Sequence, residues 1–174
     1  MKNTRRAIII GLAVAGAIAV VLVSLLRENS SNKANDLIVV HEINTNDVIQ
    51  INVASEDSTL ALIIIDGVWY TEDGRKPADQ VAVNNALTQL SYLYASDNTP
   101  FCGTMPLESY GLDPPRLLID LLLDDGSTAR ILFGDFADDN SYCYFMKYGD
   151  DSIYLISITN YKTIEVGLVM LADL

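Results

Sequence analysis

"RLLIDLLLDDGSTARILFGD", Arg116–Asp135, decides how this chain is read. Its first eight residues are apolar except for Arg116 and Asp120, and their length suits a strand. Asp125–Gly126 is a hairpin signal, because glycine accepts the positive φ of a tight turn at no steric cost. "TARILF" then sets Ala129, Ile131 and Phe133 against Thr128, Arg130 and Leu132, the two-residue period of a half-buried strand. Downstream, "YCYFMKY" and "SIYLIS" read as two further strands joined by a turn at Gly149–Asp150. In "TNYKTIEVGLVMLADL" the period changes, and Tyr161, Ile164, Leu168 and Leu171 fit one face of a helix.

The same order is found upstream. "LIVV" and "VIQINVA" (48–54) read as strands. "TLALIII" (59–65) is apolar on both faces and is expected to lie more centrally in a sheet. Asp66–Gly67 turns the chain into "VWYTE", and Asp73–Gly74 turns it again. "PADQVAVNNALTQLSYLYASD" then predicts a helix, with Pro77 in its first turn and Asp79 near its positive end. Val83, Leu87, Leu90 and Tyr94 form its apolar stripe, and Asn85, Gln89 and Ser96 its polar face. Strands followed by a helix thus occur twice, over about 43–95 and 115–172. The predicted fold is α+β: two antiparallel β-meander-plus-helix units in one domain spanning 37–174.

A transmembrane helix is expected before that domain. Residues 7–26, "AIIIGLAVAGAIAVVLVSLL", carry no charge and match the length of a bilayer span. Lys2, Arg5 and Arg6 in the leader 1–6 place the N-terminus in the cytoplasm, with everything after the polar tether 27–36 outside. A cleaved signal peptide is the rival reading. Cleavage after Ala15, Ala17 or Ala19 would leave a long apolar start, so an uncleaved signal anchor is favoured. No cysteine ends the run, which excludes a lipoprotein anchor. The formal charge is −12, and three of the eleven cations precede the span. An ectodomain so acidic repels phosphate backbones, which argues against a nucleic-acid partner.

Few residues point to chemistry. His41 is the single histidine, so His-based metal clusters and His-dependent nucleophiles are ruled out. It is expected at a strand edge or on the surface. Asp124–Asp125, Asp138–Asp139 and Asp150–Asp151 could act as acid and base or hold calcium. All three fall at predicted turns, where aspartate bonds its own backbone, and none has the spacing of a calcium loop. The acidic loop "GDFADDNSY" (134–142) is the first choice for a cation, through Asp135, Asp138 and Asp139. Cys102 and Cys143 are 41 residues apart. A bridge between them would add about 3–4 kcal/mol, but two cysteines do not make a disulfide framework and free thiols are favoured. Nine tyrosines include Tyr142, Tyr144 and Tyr148 on one strand face; this reads as β-propensity before it reads as a binding stripe. No catalytic residue, cofactor or resident metal is assigned.

"YGLDPP", Tyr110–Pro115, is read as a corner. Pro106 starts a short helical turn, Gly111 ends it in the left-handed region, and Leu112 packs back on the core. Asp113 precedes a proline and is therefore extended, and Pro114 and Pro115 lead into the strand from Arg116. "LESYGLDPPRLLIDLLLDDG", "ILFGD" and "SIYLI", with "GVWYTEDGRKPADQVAVNNALTQLSYL" upstream, resemble the bacterial domain of unknown function 4340 family over roughly 37–172. The cysteines depart from its pattern. The resemblance implies single-span, extracytoplasmic proteins, many of them encoded beside ABC-type export components of the gliding-motility kind, with no established activity to carry over. The expected function is a membrane-anchored, non-enzymatic accessory domain with a transporter subunit as partner. The alternatives are a cell-envelope module binding a wall polymer, peptide or cation, and an enzyme using carboxylates alone.

Overall fold

In a computed structural model of the chain, which describes residues 38–72, 76–95, 106–138 and 140–169, the alternating stretches become two meanders joined side by side. The first comprises β2 (Val48–Ser55), β3 (Thr59–Ile65) and β4 (Val68–Thr71). The second comprises β6 (Leu117–Leu123), β7 (Thr128–Phe136), β8 (Tyr142–Lys147) and β9 (Tyr154–Ser157). They share one seven-stranded antiparallel sheet in the order β4-β3-β2-β6-β7-β8-β9. Helix α1 (Gln80–Ser91) follows the first meander and α2 (Ile158–Leu168) the second. A separate ribbon pairs β1 (Ile38–Glu42) with β5 (Tyr92–Ala95). All described residues belong to the unit Leu37–Leu174. The leader, the apolar run 7–26, the tether, Asp73–Gly74, Cys102, Asp139 and Leu171 lie outside the described residues. No helix among the described residues is long and apolar enough to cross a membrane.

The period-two pattern sends one set of side chains to the helices. Ile51, Leu62, Ile119, Ile131, Phe133 and Phe145 are fully buried with Val83, Leu87 and Leu90 of α1 and Tyr161, Ile164 and Leu168 of α2. Asp79 caps α1 by accepting from the amides of Val81 and Ala82 at 2.9 and 3.1 Å. Ser157 caps α2 through the amide of Asn160. The helices touch where Gly167 faces Ala82 and Ala86. A Cβ there would stand 2.7 Å from the Ala82 carbonyl oxygen and 2.8 Å from the Ala86 methyl.

The outer edge of β4 is closed by a side chain. Gln80 accepts from the Trp69 amide at 2.8 Å and donates to the Trp69 carbonyl at 2.9 Å, as a neighbouring strand would. The Ala78 amide adds a second bond to that carbonyl.

Four expectations need correction. Helix α1 stops at Ser91, and "YLYA" is strand β5, with Leu93 and Ala95 buried. Leu90 and Leu93 suit either period; the partner β1, far upstream, decides the matter. Pro77 lies before α1 and bridges to Tyr70 of β4 instead of sitting in the first turn. β3 lies one strand in from the edge; the central strand is β6, flanked by β2 and β7. His41 is on an edge strand but not at the surface: it is 5% exposed, and its Nε2 has no hydrogen-bond partner among the described residues.

Burial, reinforced by Lys147, holds His41 at a pKa of about 4 against its ordinary 6.5. Below 6.5 the unfolded chain takes up a proton that the folded chain refuses until about 4. Stability should therefore be complete above pH 6.5 and fall by roughly 1.4 kcal/mol per pH unit down to about 4. Urea unfolding across that range checks this; an equal slope in His41→Leu would refute it. In the helix pair, Gly167→Leu should cost about 2 kcal/mol through overpacking. An unaltered thermal midpoint would show that the helices are not in contact there.

Candidate functional site

With both helices on one side, the other face of the sheet is left with a polar stripe between apolar rows. The hairpin at Asp125–Gly126 sets Asp120 opposite Arg130, and the seam sets Asn52 opposite Asp120. Arg130 makes a two-pronged pair with Asp120, Nε to Oδ1 at 2.6 Å and Nη2 to Oδ2 at 2.8 Å. The hydrogen bonds to Asp120 raise the pKa of Arg130 above its ordinary value. Its guanidinium also lies 5.4 Å from the ring centre of Tyr148, which is 67% exposed. Gln50 donates to Asn52 and extends the stripe. Ala61 and Ile63 of β3, Leu118 and Leu122 of β6 and Leu132 of β7 belong to this face by register. Two recesses of about 450 and 390 Å³ share Asn52 and Asp120.

"YGLDPP" covers one end of the same face. The turn Leu107–Tyr110 ends at Gly111, whose φ is 64°, in the left-handed region. Tyr110 and Leu112 are buried in a second apolar cluster with Met146 and Ile153, against Leu132 and Tyr144. Leu112 therefore packs on the side of the sheet opposite the helices. The rings of Tyr110 and Tyr144 meet edge to face, 5.1 Å apart. Gly134 makes this possible: a Cβ there would lie 2.1 Å from the Tyr110 carbonyl oxygen. The Asp135 carboxyl carbon lies only 2.5 Å from where a Cβ of Gly111 would project. The corner and the Gly-Asp end of β7, far apart in sequence, are one structural feature.

Beside the corner is a groove of about 460 Å³. Pro114, Pro115, Leu118 and Ala54 line it together with Ser55, Glu56, Arg116 and Asp135. Arg116 lies 3.8 Å from Asp135 and stacks over the ring of Phe136 at 4.7 Å. A fourth hollow, of about 670 Å³, runs between the helices past Val81, Ala82, Val166 and Gly167.

The sequence-selected acids do not converge. Asp125 accepts from the Ser127 amide, and hydrogen bonds from the Ser127 hydroxyl first and that amide second lower its pKa. Asp150 accepts from the Ser152 amide and the Tyr154 hydroxyl. Both are turn aspartates. Asp135 pairs with Arg116, Asp138 is exposed in its turn, and Asp139 lies outside the described residues. Among the described residues no three His, Cys, Asp or Glu side chains gather as a metal site. Cys143 is a free, buried thiol that donates to the Gly134 carbonyl, and burial pushes its pKa up to about 12. Burial likewise raises Tyr161, whose hydroxyl donates to Glu165 at 2.8 Å. Of the late tyrosines Tyr144 lies under the corner, and Tyr148 alone is largely exposed.

A corner seated on a Gly-Asp strand end, followed by a final helix, is the arrangement onto which the family resemblance maps. The sequence model described as "Domain of unknown function (DUF4340)" matches residues 69–165, more than half of the chain. The chain belongs to the DUF4340 family. No curated protein and no solved structure matches it. The DUF4340 match runs from β4 to α2 and so takes in the corner, the Asp120–Arg130 pair and the Pro114–Arg116 side of the groove, while Ala54, Ser55 and Glu56 on its other side precede it.

If the corner is seated as described, Gly134→Ala should lower stability by about 2 kcal/mol or more, since the new methyl meets backbone that cannot rotate aside. Gly111→Val should do the same through the left-handed φ and the Asp135 carboxyl. Thermal unfolding of both variants measures it. Two wild-type midpoints would mean that the corner does not rest on β7.

Proposed function

We propose that this DUF4340 protein is a non-enzymatic accessory domain, anchored in the cytoplasmic membrane and projecting outside it, which binds a protein partner through the uncovered face of its sheet. The observation that carries this reading is the two-sidedness of the sheet. One face is sealed by α1 and α2, while the other holds the Asp120–Arg130 pair and exposed Tyr148 among Ile63, Leu118 and Leu122. Aromatic and arginine side chains amid apolar surface, with few bare charges, are the usual composition of a binding face. Asp125 and Asp150 are engaged in their own turns, Asp135 pairs with Arg116, and among the described residues no three His, Cys, Asp or Glu side chains gather.

The anchor rests on the apolar run 7–26, and the outside location on the basic leader before it. The proposed partner is a subunit of an ABC-type transporter of the gliding-motility kind, from the family resemblance. The alternative of a cell-envelope module for a wall polymer has one feature in its favour, Tyr148, whose exposed ring could stack on a sugar.

A photo-reactive side chain placed at Ile63 or Leu122 in the membrane-embedded chain tests the reading. Cross-links to a transporter subunit are expected from these positions and not from Val81 on the helix layer. Cross-links from Val81 alone would overturn the choice of face, and binding to purified wall material abolished by Tyr148→Ala would favour the alternative.

A further inference from the structure

Building on that reading, we propose that the groove beside Pro114 and Pro115 receives a basic, extended segment of the partner protein. Pro114, Pro115, Leu118 and Ala54 give the groove an apolar lining, beside the exposed residues Glu56 and Asp135. Such a lining suits lysine and arginine: their aliphatic stems cover apolar surface while the charged heads reach outward to the acids. The balance of charge has the same sign. Two carboxylates face one guanidinium in the lining, and Asp57 and Asp113 adjoin it in sequence.

The single cation does not cancel this field. Arg116 is held over the Phe136 ring, and its approach to Asp135 is a loose 3.8 Å, with the Asp135 side chain 59% exposed. That carboxylate keeps oxygen surface for a second cation. The chain as a whole carries −12, which steers basic segments toward it and acidic ones away. The middle of the sheet face differs, since Asp120 there is already satisfied by Arg130 at 2.6 and 2.8 Å. The groove thus supplies the charge selectivity that the remainder of the face lacks.

The test uses the full chain in zwitterionic lipid nanodiscs and two fluorescent octapeptides, one alternating arginine with alanine, the other glutamate with alanine. Fluorescence anisotropy, corrected with empty nanodiscs, should show the arginine peptide binding at least about tenfold tighter, an advantage lost at high salt. Glu56→Gln with Asp135→Asn should remove about tenfold of that affinity, and Val81→Ala on the helix layer none. Asp135 touches the corner, so Glu56→Gln alone, on an exposed turn, should still weaken binding about threefold if the double variant fails to fold. Equal binding of the two peptides, or undiminished binding of the arginine peptide to a folded Glu56→Gln variant, overturns the inference. If cross-links from Ile63 persist in that case, the interaction-domain reading stands and only the groove is rejected; if they too are absent, both fall.

Discussion

The antiparallel seam between β2 and β6 holds the two halves of the molecule together. Ile51 sits opposite Leu121 and Val53 opposite Ile119, all four buried. At its lower end the Asp124 amide reaches the Asp47 carbonyl, tying the loop before β2 to the end of β6. Three or four strands with one helix would bury a smaller fraction of their surface than the two halves do together. Joined at the seam, they form a sheet wide enough for both helices, which then meet at Gly167 over one shared core. Because side chains alternate with a period of two, a slip of one residue at this seam would send Ile119 and Leu121 to the open side.

Much of this could be read directly from local pattern. Alternation found β2 and β7, continuous apolar runs found β3 and β6, glycine-bearing dipeptides found the hairpins, and Asp79 marked the start of α1. Non-local decisions were less accessible. "YLYA" carries spacing compatible with helix or strand, and only pairing with β1 settles it. "TLALIII" looked central because its composition is apolar throughout, yet position in a sheet depends on partners, and β2 has the partner on its far side. His41 showed no sign of burial in its neighbours, because the ribbon that buries it is assembled from distant segments.

The site was legible to a similar degree. The corner could be recognised from Gly111 and the prolines, whereas its seat could not, since nothing near Tyr110 names Gly134 as the residue that must lack a side chain. The Asp120–Arg130 pair was within reach of sequence reasoning: a hairpin turn at Asp125–Gly126 fixes which residues stand opposite, and an aspartate inside an apolar strand asks for a cation. The turn aspartates behaved as local hydrogen-bond acceptors, as residue type and position implied. The result is a sheet with one face committed to structure and the other divided between a packed corner, an internal ion pair and an acidic groove.

The Gln80 side chain that lies along β4 bears on the order in which the sheet assembles. It follows β4 by a few residues and can engage Trp69 as soon as the first meander has formed. The seam unites β2 with a strand from the other half of the chain, and such distant contacts form late. During the interval a partial sheet exists whose bare edges could recruit other chains. Gln80 closes one of these early, so a half-made molecule has one side fewer on which to misassemble with other copies.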